Sequence, residues 1–102
     1  PVVNMYYILL TEMETTAFTS CKIQGLQSEE LNSLKQEFNN LGLTNSNTEN
    51  FFEVDTPAIR VLNLLADKYY YRVSSQSMAM EKTNIGGRTI QIQKLVWTLN
   101  KK

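Results

Sequence analysis

The stretch from Tyr69 to Leu99 is dominated by β-branched, aromatic and polar residues and holds one concentrated turn signal, Thr83-Asn84-Ile85-Gly86-Gly87. Asn and Gly accept the positive φ values that a tight reversal needs, so the stretch reads as a long antiparallel hairpin. Tyr69-Tyr70-Tyr71-Arg72-Val73 opens the outgoing strand and Arg88 to Leu99 forms the return. The return strand changes phase: Ile90 and Ile92 share one face, whereas Leu95, Trp97 and Leu99 share the other. Either a bulge near Gln93-Lys94 shifts the register, or both faces are covered, one of them by another chain. The second alternative is preferred for at least part of the strand. Asn84-Ile85-Gly86-Gly87-Arg88 lacks the Lys-Ser/Thr pair and the following helix of a phosphate loop, so it serves as a turn.

The remaining elements are shorter. Val2 to Leu10 is apolar without helical periodicity and reads as a strand covered on both faces. Glu12 to Thr16 is a loose connection to a second strand, Ala17 to Ile23, in which Ala17, Thr19, Cys21 and Ile23 share a face. Ser28 caps a helix whose first turn carries Glu29 and Glu30. Leu31, Leu34, Phe38 and Leu41 form its apolar stripe, and Gly42 stops it. Thr44 to Asn50 is a polar loop, and Phe51 to Val54 a short strand. Asp55 or Thr56 then caps a second helix with Pro57 at its first position. Ile59, Leu62 and Leu65, flanked by Val61 and Ala66, supply its buried face. The fold class is α+β: one domain over 1–102, a small antiparallel sheet, two helices and a long C-terminal β-hairpin.

Residue chemistry narrows the function. The 102 residues contain no His, the commonest general base near neutral pH and the commonest metal ligand. Triads and His-based metal sites are thereby disfavoured, and a catalytic role is not expected. Carboxylates Glu12, Glu14, Glu53 and Asp55 are the nearest thing to an acid–base set, and Asp55 already has a capping role. Ten basic residues balance ten acidic ones, which removes the electrostatic footprint of a nucleic-acid binder. Cys21 is alone, which fits a reducing compartment and a small buried hydrophobe. No apolar run is long enough to span a bilayer. The chain opens at Pro1 without a signal-peptide pattern, as if an initiator Met or a tag had been removed. A cytoplasmic location is expected, with the nucleus as a second compartment, and no membrane partner.

Two stretches carry a family resemblance. The first is Asn50-Phe51-Phe52-Glu53-Val54-Asp55-Thr56-Pro57, followed by Arg60-Val61-Leu62 and Tyr71-Arg72-Val73. The second is Gln93-Lys94-Leu95-Val96-Trp97-Thr98-Leu99-Asn100-Lys101, while Met5 to Leu10 matches more loosely and Cys21 to Leu43 only in pattern. In order and spacing these resemble the GTP cyclohydrolase I feedback regulatory protein family. The chain departs from the family in its final hairpin, longer by about ten residues or more through Ser77 to Gln91, at a place where loop insertions are tolerated.

The resemblance implies a subunit of a propeller-like homopentamer, two of which cap a GTP cyclohydrolase I decamer. Phenylalanine goes with stimulation and tetrahydrobiopterin with feedback inhibition; these are effectors, and no cofactor is implied. It also implies an interface residue, Gln93, near where effector and enzyme meet. Gln91 shares that face, and Thr11 and Met13 are expected to line the same surface. Arg72 is a candidate for pairing with an acidic group across an interface, or for an ordinary surface salt bridge. Trp97, between Leu95 and Leu99, is expected in the core or a subunit contact. The competing reading is a free-standing oligomeric scaffold or small-molecule-binding domain of the same fold without the enzyme partner.

Overall fold

A computed structural model describes residues 6–14, 19–48 and 51–101. Val2 to Met5 of the expected first strand, the connection at 15–16, Ala17 and Phe18 of the second strand, and Asn50 lie outside the described residues. The elements are β1 (Tyr6–Glu14), β2 (Thr19–Gln24), α1 (Ser28–Asn40), β3 (Asn45–Asn47), β4 (Phe52–Val54), α2 (Ala58–Tyr69), β5 (Arg72–Ile85) and β6 (Arg88–Lys101). The strands form one six-stranded sheet in the order β3-β4-β2-β1-β6-β5, antiparallel at every pairing.

β1 extends through Glu12 to Glu14, where a connection was expected. Glu12 lies between Cys21 of β2 and Leu95 of β6, and a ladder on both sides outweighs the poor strand propensity of glutamate. Asn45 to Asn47, expected to be loop, is a short edge strand because β4 offers it a partner from Phe52 to Val54.

Both helices lie on one face of the sheet. Ile8 and Leu10 of β1, Cys21 and Ile23 of β2, Phe52 and Val54 of β4 and Leu99 of β6 meet Leu34 and Phe38 of α1 and Ala58, Val61 and Leu65 of α2. Phe38 stacks on Phe52 at 6.0 Å between ring centroids. The opposite sheet face carries no helix among the described residues.

Local corrections follow from how the helices start and stop. α1 begins at Ser28 with Gln27, not Ser28, as its cap, and Glu30 Oε1 accepts the Gln27 N–H at 3.4 Å. Gly42 does end it, at φ 73°, but Leu41 is the cap residue beyond the last turn and is exposed. α2 begins at Ala58 with Pro57 as the cap residue, because the Ala58 N–H donates to Glu12 Oε2 at 2.6 Å. A carboxylate from β1 therefore takes the capping role expected of Asp55 or Thr56. The buried stripe of α2 is Ala58, Val61 and Leu65, while Ile59 and Ala66 are exposed and Leu62 is half-buried.

The tyrosine triplet does not open a strand. Tyr69 ends α2, Tyr70 turns the chain at φ 63°, and Tyr71 drops into the core with its N–H on the Leu65 carbonyl at 3.1 Å. The outgoing strand starts only at Arg72. Gly86 and Gly87, at φ 60° and 79°, form the two-residue turn between Ile85 and Arg88.

The β5–β6 register runs unbroken through Met80↔Gln93 and Ala79↔Lys94, so no bulge lies near Gln93-Lys94. The one irregularity is in β5, between Val73 and Ser75. The phase change in β6 thus reflects apolar residues on both sheet faces.

Candidate functional site

Side chains of directly paired residues share a face, so the ladder assigns each expected site residue to one side of the sheet. Leu99 is buried under the helices; alternation places Trp97, Leu95, Gln93 and Gln91 on that side too. Asn100, Thr98, Val96, Lys94, Ile92 and Ile90 lie on the open side. Through Thr11↔Val96 and Met13↔Lys94, Thr11 and Met13 belong to the open face, opposite Gln93 and Gln91. The surface expected to hold all four does not exist as one patch. Arg72, opposite Asn100, is also on the open side, at the far end of the hairpin, and makes no ion pair among the described residues.

Gln93 is half-buried and donates from Nε2 to Met78 Sδ at 3.4 Å, while Gln91 is exposed opposite Lys82. Trp97 packs partly against the core, as expected. Glu14↔Gln93 is the last pair between β1 and β6, and beyond it β5 and β6 pair only with each other among the described residues. Gln93 therefore marks the point where the hairpin leaves the body of the sheet.

The open face carries Leu9, Thr11 and Met13 of β1 beside Thr98, Val96 and Lys94 of β6, and half-buried Ile92 and Ile90 follow on the hairpin beyond the last β1–β6 pair. A shallow, mostly apolar depression of about 360 Å³ on this side is lined by Tyr7, Leu9, Gln24, Gly25 and Thr98. A wider groove of about 850 Å³ lies between α1 and α2, lined by Glu37, Leu41, Ile59 and Asn63 among others, and holds none of the expected site residues.

Glu30, Tyr71, Cys21 and Glu12 near the core are engaged in structure, whereas the buried Tyr69 Oη and Ser20 Oγ have no hydrogen-bond partner among the described residues. Glu30, 7% exposed, accepts from Tyr71 Oη at 2.8 Å and pairs with Lys101 Nζ, which also lies 4.8 Å from the Tyr71 ring centroid. Burial first, and then the hydrogen bond to Glu30, push the Tyr71 hydroxyl above its usual range. This cluster joins the start of α1, the end of α2 and the end of β6, and its members stand 41 and 71 residues from Glu30 in sequence. Glu30 was legible only as a first-turn charge. Cys21 is buried, donates from Sγ to the Thr56 carbonyl at 3.2 Å, and is pushed up to about 12 by burial with a smaller contribution from Glu12. Its thiol is thus protonated and inert at neutral pH. Glu12, weighed above as an acid–base candidate, caps α2.

Among the described residues, no group of three or more His, Cys, Asp or Glu is placed to hold a metal ion, and no helix is long and apolar enough to cross a membrane. No protein-family model matches this chain, and no curated protein matches it. Among solved structures it is similar to the crystal structure of a conserved kinetoplastid-specific protein from Trypanosoma cruzi. That likeness covers 92% of this chain and 95% of the other at a TM-score of 0.53 and 8% identity. At such identity the likeness concerns the fold alone.

Proposed function

We propose that this chain is a non-catalytic regulatory subunit that assembles with copies of itself and controls GTP cyclohydrolase I by docking on it. The observation that carries the reading is the sheet face that no helix covers among the described residues, where exposed Leu9 and half-buried Met13, Val96 and Ile92 form an apolar strip interrupted by Lys94. Such a strip is stabilised when another chain removes it from water. The carboxylates closest to the core, Glu12 and Glu30, cap a helix and tie strand to helix, which agrees with a protein whose work is contact and not chemistry. The enzyme partner, the propeller-like homopentamer and the cytoplasmic or nuclear setting come from the resemblance carried by Gln93 to Lys101 and by Asn50 to Pro57.

In this reading phenylalanine favours the stimulated complex and tetrahydrobiopterin the inhibited one. Each effector binds more tightly to the assembly it stabilises, and the assembly tightens on the effector in return. Gln93, which both donates and accepts hydrogen bonds, contacts effector or enzyme from the helix side of β6. Thr11, Met13 and Arg72 serve the subunit contact on the open side.

A free-standing scaffold of the same fold is the second reading. It is favoured by the length of hairpin that continues past the Glu14↔Gln93 pair. Co-elution with GTP cyclohydrolase I, with and without phenylalanine, separates the two. The regulatory reading expects one complex that phenylalanine strengthens, and Gln93→Ala weakens that response about tenfold, the worth of one good hydrogen bond. If both proteins keep their separate sizes under every condition, the enzyme partner is lost and the scaffold stands.

A further inference from the structure

The two edges of the sheet are unequal. β3 is a three-residue edge strand, whereas β5 presents fourteen residues along the other edge. Sheet proteins blunt such edges with charges, prolines or short length. β5 does none of these between Val73 and Met80, a segment with no charge and no proline, in which Val73, Met78 and Met80 are at least half exposed. Charges flank it, Arg72 at one end and Glu81 followed by Lys82 at the other.

The pattern is self-complementary. When two copies of a strand pair antiparallel about a two-fold axis normal to the sheet, facing residues must lie on the same side. The β6 register places Arg72, Ser75, Ser77, Ala79 and Glu81 on the open side, and Val73, Gln76, Met78 and Met80 on the helix side. With Ser77 on the axis, Ser75 faces Ala79 and Gln76 faces Met78. The irregularity at Ser74 then drops one residue from the count, so that Val73 faces Met80 and Arg72 faces Glu81. All of these pairs match in side. Without the bulge, the same register would set Arg72 against Lys82, a like-charge contact. The bulge therefore exchanges a repulsion for an attraction, and symmetry makes it twice. Glu81 already holds Lys94 at 2.8 Å, and its carboxylate, half exposed, has acceptor sites for a second cation.

We propose that β5 is a strand-pairing edge at which two copies of this chain join antiparallel about a two-fold axis at Ser77, with Arg72 of each copy on Glu81 of the other, making one continuous sheet from two. This pairing is separate from any contact through the open face and from any enzyme partner. It requires an even number of chains, so a five-membered ring held by the open face would pair edge to edge with a second such ring.

Light scattering and sedimentation on the intact chain test it, with Arg72→Glu and Glu81→Arg made singly. Each variant alone sets like charges face to face at both ends of the paired segment. Each is expected to sediment at half the mass of the wild-type assembly, with self-association at least about tenfold weaker. Mixed one to one, the two variants restore opposite charges at both ends and return to the wild-type mass. That recovery also shows that both variants are folded. A wild-type assembly with an odd number of chains, single variants that keep the wild-type mass, or a mixture that stays at half mass would each overturn the pairing. A pentamer that ignores these substitutions would remove the β5 edge and leave the regulatory reading in place.

Discussion

β1 and β5 belong to the same sheet, but different forces hold them. β1 lies between β2 and β6, and its alternate residues Ile8 and Leu10 are buried against two helices. β5 has β6 as its single partner, and no residue from Arg72 to Ile85 is buried. Backbone pairing with β6, with side-chain ties such as Lys94–Glu81 and Gln93–Met78, thus carries a strand of fourteen residues that a two-glycine turn fixes at one end. The contrast separates the part of the chain that makes the fold stable from the part that the fold holds out to solvent. In the proposed reading, exposed length of this kind serves contact with another molecule, and the assembly contacts argued above fall on the hairpin and the open face.

Substitutions that break this contrast are expected to differ in size by an order of magnitude. Phe38→Ala removes a fully buried ring stacked on Phe52 and should cost about 4 kcal/mol by urea unfolding. Glu30→Ala follows at about 3 kcal/mol, since it leaves Lys101 and the Tyr71 hydroxyl without their shared partner. Glu12→Ala removes the remote cap of α2 and should cost about 1 kcal/mol. At the other extreme, joining Met80 to Gln93 by a tight turn deletes the hairpin beyond the last β1–β6 pair. That deletion should shift stability by less than about 0.5 kcal/mol. A deletion that unfolds the protein would show that the tip belongs to the core after all.

Alkaline pH sharpens the same comparison. Cys21 in the folded protein holds its proton up to about 12, whereas the thiol of the unfolded chain loses it near its ordinary value of 9.0. Above 9 the unfolded state binds fewer protons than the folded one, so stability falls as pH rises toward 12. Tyr71, also raised by burial, adds to the fall at higher pH. Urea midpoints measured across this range should decline, and Cys21→Ala should flatten the earlier part of the decline.

Much of this division was legible from the residues. Gly86-Gly87 states its turn locally, Gly42 states a helix end, and the Leu34/Phe38 spacing states a buried face. What escaped depends on partners far away in sequence. The start of α2 is set by Glu12, 46 residues earlier, so the expectation of Asp55 or Thr56 as cap and of Ile59 in the core could not be corrected from within the helix. Tyr71 is drawn inward by Glu30 and Lys101, which shortens the expected strand by three residues at its start. The candidate site divided for a similar reason. Met13 and Gln93 sit at similar heights on neighbouring strands, and only the register Met13↔Lys94 reveals that they face opposite ways.

The central claim is that another chain covers the open sheet face. Mass measurement on the wild type and on Leu9→Lys, a half-exposed position on that face, tests it most directly. The account predicts a wild-type assembly larger than the β5-linked pair, and a fall to that pair when Leu9→Lys places a charge in the strip. A Leu9→Lys variant that keeps the wild-type mass, or a wild type that runs as a single 11.7 kDa chain, would contradict it.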